Sequence, residues 1–304
     1  MPTSPPIRVR LSRKTLDRHY QGFLLSLGGR PPETRGTYER ALREFVRWFK
    51  TDQRVRFVVE DFERYKRYLT VRKKLSPVSV STYLTAVRRF CDFLVAIGVL
   101  ALNTAKQVGG NERPRSHSRD TLTRVEVERL ISSVDQSDER GKRDYAMIKL
   151  MLGCGLSEIE IIRADIRDLK PVGGKAGLVV QGKGHIEKDE LVILPDDVNA
   201  AVEHYLAGRK DSGTGDPLFL SAGNRTRGER MTTRGVRDRI NACLIRAGLR
   251  GTADRRITPY SLRHTAAVLL AHAGASAEEI RERMRLGSVA TANLYIQEST
   301  PVDS

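Results

Sequence analysis

Apolar residues return every three to four positions through most of the first hundred residues, the repeat of helices with one buried face. "KTLDRHYQGFLLSL" carries such a stripe and stops at Gly28-Gly29. In "PPETRGTYERALREFVRWFK", Tyr38, Leu42, Phe45, Val46 and Phe49 share a face, with Arg40, Arg43 and Arg47 mostly on another. "VEDFERYKRYLTVRKK" predicts a third helix. "SPVSVSTYLTAVRRFCDFLVAIG" predicts a fourth, started by Ser76-Pro77 and stopped at Gly98. Residues 12–105 thus read as a helical domain, and the polar, glycine-bearing stretch 106–120, "KQVGGNERPRSHSRD", as a linker.

Residues 121–304 read differently. "TLTRVEVERLISSV" and "DYAMIKLMLGCGLSEIEIIRADIRDL" are helical, the latter as helix, turn, helix. "AGLVVQGKGHIEKDELVILP" alternates apolar and polar on both sides of "GKGH", which predicts a β-hairpin with a glycine turn. Further helices follow, one opened by the Ser276/Glu279 capping-box pattern, then a short "TANLYI" segment. The fold class is mainly α with a small β-hairpin or sheet (α+β).

Composition adds a partner. Hydrophobic residues make up 39%, enough for real cores, and the net charge is +16. Residues 1–113 hold 23 Lys+Arg against 10 Asp+Glu, whereas residues 114–304 hold 30 against 27. A basic N-terminal half points to a polyanion, most simply double-stranded DNA, with Arg43, Arg47, Lys73, Lys74, Arg88 and Arg89 as candidate contacts. No apolar run reaches the ~18 residues of a membrane span, and the N-terminus lacks the apolar centre of a signal peptide. Three scattered cysteines suggest neither a disulfide framework nor a metal site. A cytoplasmic protein without cofactor or metal is expected.

The informative anomaly is "ITPYSLRHTAAVLLAHAG". A helix begins after Thr258-Pro259, yet Arg263 and His264 sit in its first turn, where the macrodipole favours anions. An arginine there suits a bound phosphate. His264 is read as a capping or packing residue.

The "GL…E…D" helix pair, the "GKG" hairpin, the "SLRHT" box and the late tyrosine, in this order over 140 residues, resemble the tyrosine recombinase, or phage integrase, family, including its Xer-type members. The resemblance implies a helical core-binding domain followed by a mixed α/β catalytic domain. It also implies metal-free DNA cleavage through a 3′-phosphotyrosine. Tyr295 matches the nucleophile, Arg263 one of two phosphate-clamping arginines, and Lys183 the hairpin lysine that protonates the leaving oxygen. The other arginine position is Ser157, and the two histidine positions are Tyr260 and Leu286. Arg163 lies six residues past Ser157 on another helical face and cannot take its place. Two readings follow: a site-specific recombinase of a mobile element, or a catalytically impaired member acting as an architectural or regulatory DNA-binding subunit. Either could assemble on DNA with copies of itself or with other recombinases.

Overall fold

In the computed structural model, residues 11–51, 55–110, 120–182, 185, 187–209, 212–223, 226–251 and 255–299 are described. The chain divides into two compact units, residues 1–114 and 115–304.

The first unit contains α1 (Arg13–Ser26), α2 (Pro32–Thr51), α3 (Val59–Arg67) and α4 (Pro77–Ala96). The predicted stripe of α2 is its buried face: Leu42, Phe45, Val46 and Phe49 are buried, whereas Arg40, Arg43 and Arg47 are exposed. Phe45 and Trp48 each lie 5.0 Å from the Tyr65 ring of α3, so an aromatic cluster locks two helices together. Ser76 caps α4 by accepting from the Ser79 amide, with Pro77 in the first turn. Two local expectations change. The third helix ends at Arg67 and continues as a π-helical turn over Tyr68–Arg72. Residues 106–109, read as linker, pack on this unit instead: Val108 is buried, and Arg88 donates to the carbonyls of Ala105 and Val108. Residues 111–119 lie outside the described residues.

The second unit runs α5 (Arg124–Ser132), α6 (Glu139–Gly153), α7 (Glu158–Arg163), β1 (Leu169–Val172), β2 (Lys175–Val180), β3 (Glu190–Ile193), α8 (Asp196–Ala207), α9 (Thr233–Arg246), α10 (Pro259–His272), α11 (Ala277–Arg283) and α12 (Val289–Ser299). The antiparallel sheet has order β1-β2-β3. The predicted pairing across "GKGH" is that of β2 with β3, Val180 opposite Glu190, whereas Lys183 and Gly184 of the predicted turn lie outside the described residues. A tight glycine turn also stands one strand earlier. Gly173 and Gly174, both at positive φ, join β1 to β2, a conformation glycine adopts without a Cβ clash. "TANLYI" is part of α12, and the Ser276/Glu279 capping box caps α11 as expected.

Candidate phosphate and nucleophile site

Four backbone segments converge in the second unit: the α6–α7 turn (Cys154 to Ser157), the start of α10, the α11–α12 turn (Met284 to Leu286), and Tyr295 on α12. Gly155 makes the approach possible. Its φ is +60°, and a Cβ there would lie 2.4 Å from the Met284 sulfur.

Arg263 is not an arginine waiting in solvent. Its side chain is 8% exposed. Nη1 donates to the Gly155 carbonyl at 2.5 Å and to Glu160 Oε2 at 2.9 Å, and Nη2 donates to the Met284 carbonyl. Arg263 is the fifth residue of α10, just past the first turn where it was expected, and the cation is held there by a carboxylate and two carbonyls. Ser157 occupies the N-cap of α7. Its amide and its hydroxyl both donate to Glu160 Oε2 at 2.7 Å. Glu160 is therefore the hub. Burial pushes its carboxyl up, but the charges of Arg263 and Arg285 and the hydrogen bonds from Arg285 and Ser157 hold it below the ordinary range.

Arg285 was not singled out by sequence reasoning. Its Nε donates to Glu160 Oε1 at 2.5 Å, its Nη2 to the Gly155 carbonyl at 3.1 Å, and its Nη1 to the Arg283 carbonyl at 2.6 Å. It does so from a backbone at φ +51°, a left-handed conformation rare outside glycine. Counting back from the tyrosine, it stands where the family's "LGH" has glycine, but a lone surface-type arginine gives no other signal in the sequence.

Tyr295 is 2% exposed, and its hydroxyl lies 2.7 Å from Nδ1 of His264. Burial pushes that hydroxyl well above the ordinary tyrosine range, with the neighbouring Tyr260 adding to the rise and Arg263 opposing it. His264 is thus neither a cap nor mere packing: it is the polar partner of the candidate nucleophile. Tyr260 meets the His264 ring edge-to-face at 4.7 Å. Leu286 is partly buried and packs against the apolar cluster that contains Tyr295. Lys183 lies outside the described residues, in the β2–β3 connection. In that connection Lys188 bridges Asp165 and Asp168.

In the first unit, Arg47 and Lys73 share the Glu44 carboxylate at 2.9 and 3.1 Å, leaving a net positive charge on an exposed pair. Arg43 pairs with Glu39. Lys74 and Arg89 are exposed, whereas Arg88 is committed to backbone carbonyls and serves the fold. Among the described residues no cluster suited to a metal ion occurs, and no helix is long and apolar enough to cross a membrane.

The sequence matches the phage integrase family model over residues 120–300, and the family's N-terminal SAM-like domain over residues 62–136. The chain is 32% identical over 227 residues to the tyrosine recombinase XerC of Salmonella typhi, covering 74% of this chain and 70% of that protein. The XerC of Escherichia coli (strain K12 / DH10B) is 31% identical over 225 residues, covering 74% and 71%. The fold is similar to that of the XerH site-specific recombinase bound to a palindromic difH substrate in a post-cleavage complex (TM-score 0.71, 18% identity, 95% of this chain and 82% of that one). It is also similar to a lambda integrase dimer bound to a COC′ core site (TM-score 0.69, 15% identity, 95% and 96%). This chain belongs to the phage integrase family.

Proposed function

We propose that this phage integrase family member binds duplex DNA and breaks and rejoins its strands through Tyr295. The observation that carries the reading is the joining, in one buried cluster, of a tyrosine hydroxyl, an imidazole nitrogen 2.7 Å from it, and the Arg263 guanidinium near a helix start. In the forward step Tyr295 Oη attacks the scissile phosphorus, and its proton passes to His264 Nδ1 when that nitrogen is unprotonated. The P–O5′ bond breaks, and the 5′-oxygen leaves as a hydroxyl on taking a proton from Lys183, the role its family position implies. The product is a 3′-phosphotyrosine and a free 5′-hydroxyl. A 5′-hydroxyl from the same or a second strand reverses the step. Arg263 stabilises the charge that develops on the non-bridging oxygens.

The buried hydroxyl belongs to the resting chain, so cleavage requires Tyr295 and His264 to meet the phosphate together, with the hydrogen bond between them kept. The first unit, with Arg43, Arg47, Lys73, Lys74 and Arg89, supplies sequence-independent attraction to the DNA backbone. Pairing with further copies, or with other recombinases, on two duplexes fits the rejoining step.

A second reading, a DNA-binding subunit without turnover, draws support from Ser157 and Leu286 at family catalytic positions. A nicked suicide duplex separates the two. Wild type should form a covalent adduct, and Tyr295→Phe should lose it while binding DNA equally well. Tight binding with no adduct from wild type favours the subunit reading.

A further inference from the structure

Arg263 alone cannot make a strongly cationic phosphate site, because Glu160 neutralises it. One carboxylate and one guanidinium sum to zero, and a phosphate approaching that pair meets no net charge. The neutral Ser157 contributes nothing to the balance. Yet the site holds a second guanidinium. Arg285 takes the other oxygen of Glu160 and shares the Gly155 carbonyl with Arg263, so the two cations lie side by side, with side chains 4% and 8% exposed. Burying a second arginine is costly unless its charge is used or paired, and here a single carboxylate serves two of them. The backbone at φ +51° adds to that cost. A position tolerating such a conformation for a bulky side chain is held there by what the side chain does.

We propose that Arg285 supplies the second positive charge of the phosphate site, entering from the α11–α12 turn into the space that an arginine at position 157 would fill from the α7 side. The sequence has exchanged the two: serine at 157, arginine at 285. With both guanidiniums around Glu160 the cluster carries a net +1 to set against the phosphate and, above all, against the more highly charged transition state. This rests on the strand-cleaving reading above.

The test is the single-turnover rate of adduct formation by the full chain on a nicked duplex selected for binding. The scissile linkage is either a phosphodiester or an uncharged methylphosphonate. Arg285→Gly is the informative variant, since glycine accepts the positive φ while removing the cation. Its rate on the phosphodiester should fall ~10²-fold, the size of one lost donor to a transition-state oxyanion. On the methylphosphonate, which develops less charge, the loss should shrink to about tenfold or less by the same reasoning. Arg285→Lys should retain part of the phosphodiester rate, and Ser157→Arg combined with Arg285→Gly should recover most of it. Equal losses on both linkages would make Arg285 a structural brace and overturn the inference, as would an undiminished phosphodiester rate in Arg285→Gly. An adduct absent from wild type on both linkages, at a site it binds, sinks the cleavage reading itself. DNA affinity and thermal unfolding of each variant separate these outcomes from misfolding.

Discussion

Replacing Glu160 by glutamine tests the hub directly. The side chain keeps its volume and one carbonyl oxygen but loses the charge that two arginines share. Arg263 and Arg285, nearly buried, then face each other with no counter-ion. Breaking a buried ion pair by removing one partner costs about 3–5 kcal/mol, and the upper half of that range applies here because two cations are stranded rather than one. The second unit spans residues 115–304. For a unit of that size each kcal/mol moves Tm by about 2–4 °C, so Glu160→Gln should lower the second unit's Tm by about 10 °C or more.

The pH dependence gives an independent check. The folded chain holds the Glu160 carboxyl below its ordinary value. Its stabilising contribution is therefore complete above the unfolded carboxyl pKa of about 4.3. It disappears as pH falls through the lower folded value. Wild type and Glu160→Gln should differ most near neutral pH and converge in acid, where protonated Glu160 is itself neutral. Urea unfolding followed by circular dichroism at a series of pH values measures both effects. A difference of less than about 1 kcal/mol at pH 7, or one that grows on acidification, would refute the hub argument.

Other substitutions probe the remaining parts. Gly155→Ala should cost about 2–4 kcal/mol of stability, from a positive φ and a Cβ driven onto Met284, read by thermal unfolding. His264→Ala should slow adduct formation by ~10²-fold or more and be partly rescued by free imidazole, whereas a packing role alone would lower stability and show no rescue. Ser157→Arg by itself should give little gain in cleavage, because Arg285 already occupies the neighbouring Glu160 oxygen; a ~10²-fold gain on the single change would show that space to be free. Alanine at Arg47, Lys73, Lys74 and Arg89 should each reduce the magnitude of the salt slope of DNA binding by about 0.9 if that residue meets a phosphate. Arg88→Ala should act on the first unit's stability instead, since its donors hold the Ala105 and Val108 carbonyls.

Helices were legible wherever a local rule set them. The stripe of α2, the Ser76-Pro77 start of α4 and the capping box of α11 each depend on residues within a few positions, and each lies as expected. The sheet was legible only in part. The pairing of the strands flanking "GKGH" follows from their alternation, whereas the Gly173-Gly174 turn was not foreseen, because the β1 strand "LKPV" is too short and too polar to announce itself. Residues 106–109 have a linker's composition, yet the buried Val108 and the long-range bonds from Arg88 and Lys66 tie them to the first unit, contacts that no local pattern announces.

The site divides along the same line. Arg263 and Tyr295 stand in motifs whose order could be followed along the chain. What surrounds them is set by contacts spanning more than a hundred residues, such as Arg285 to Glu160 and Arg263 to Gly155. Ser157 is therefore a loss only when its position is taken by itself. A phosphate responds to the charge gathered around it, whichever turn supplies it. At Glu160 that charge comes from Arg263 and Arg285, and no local pattern in the sequence announces that their two turns meet there.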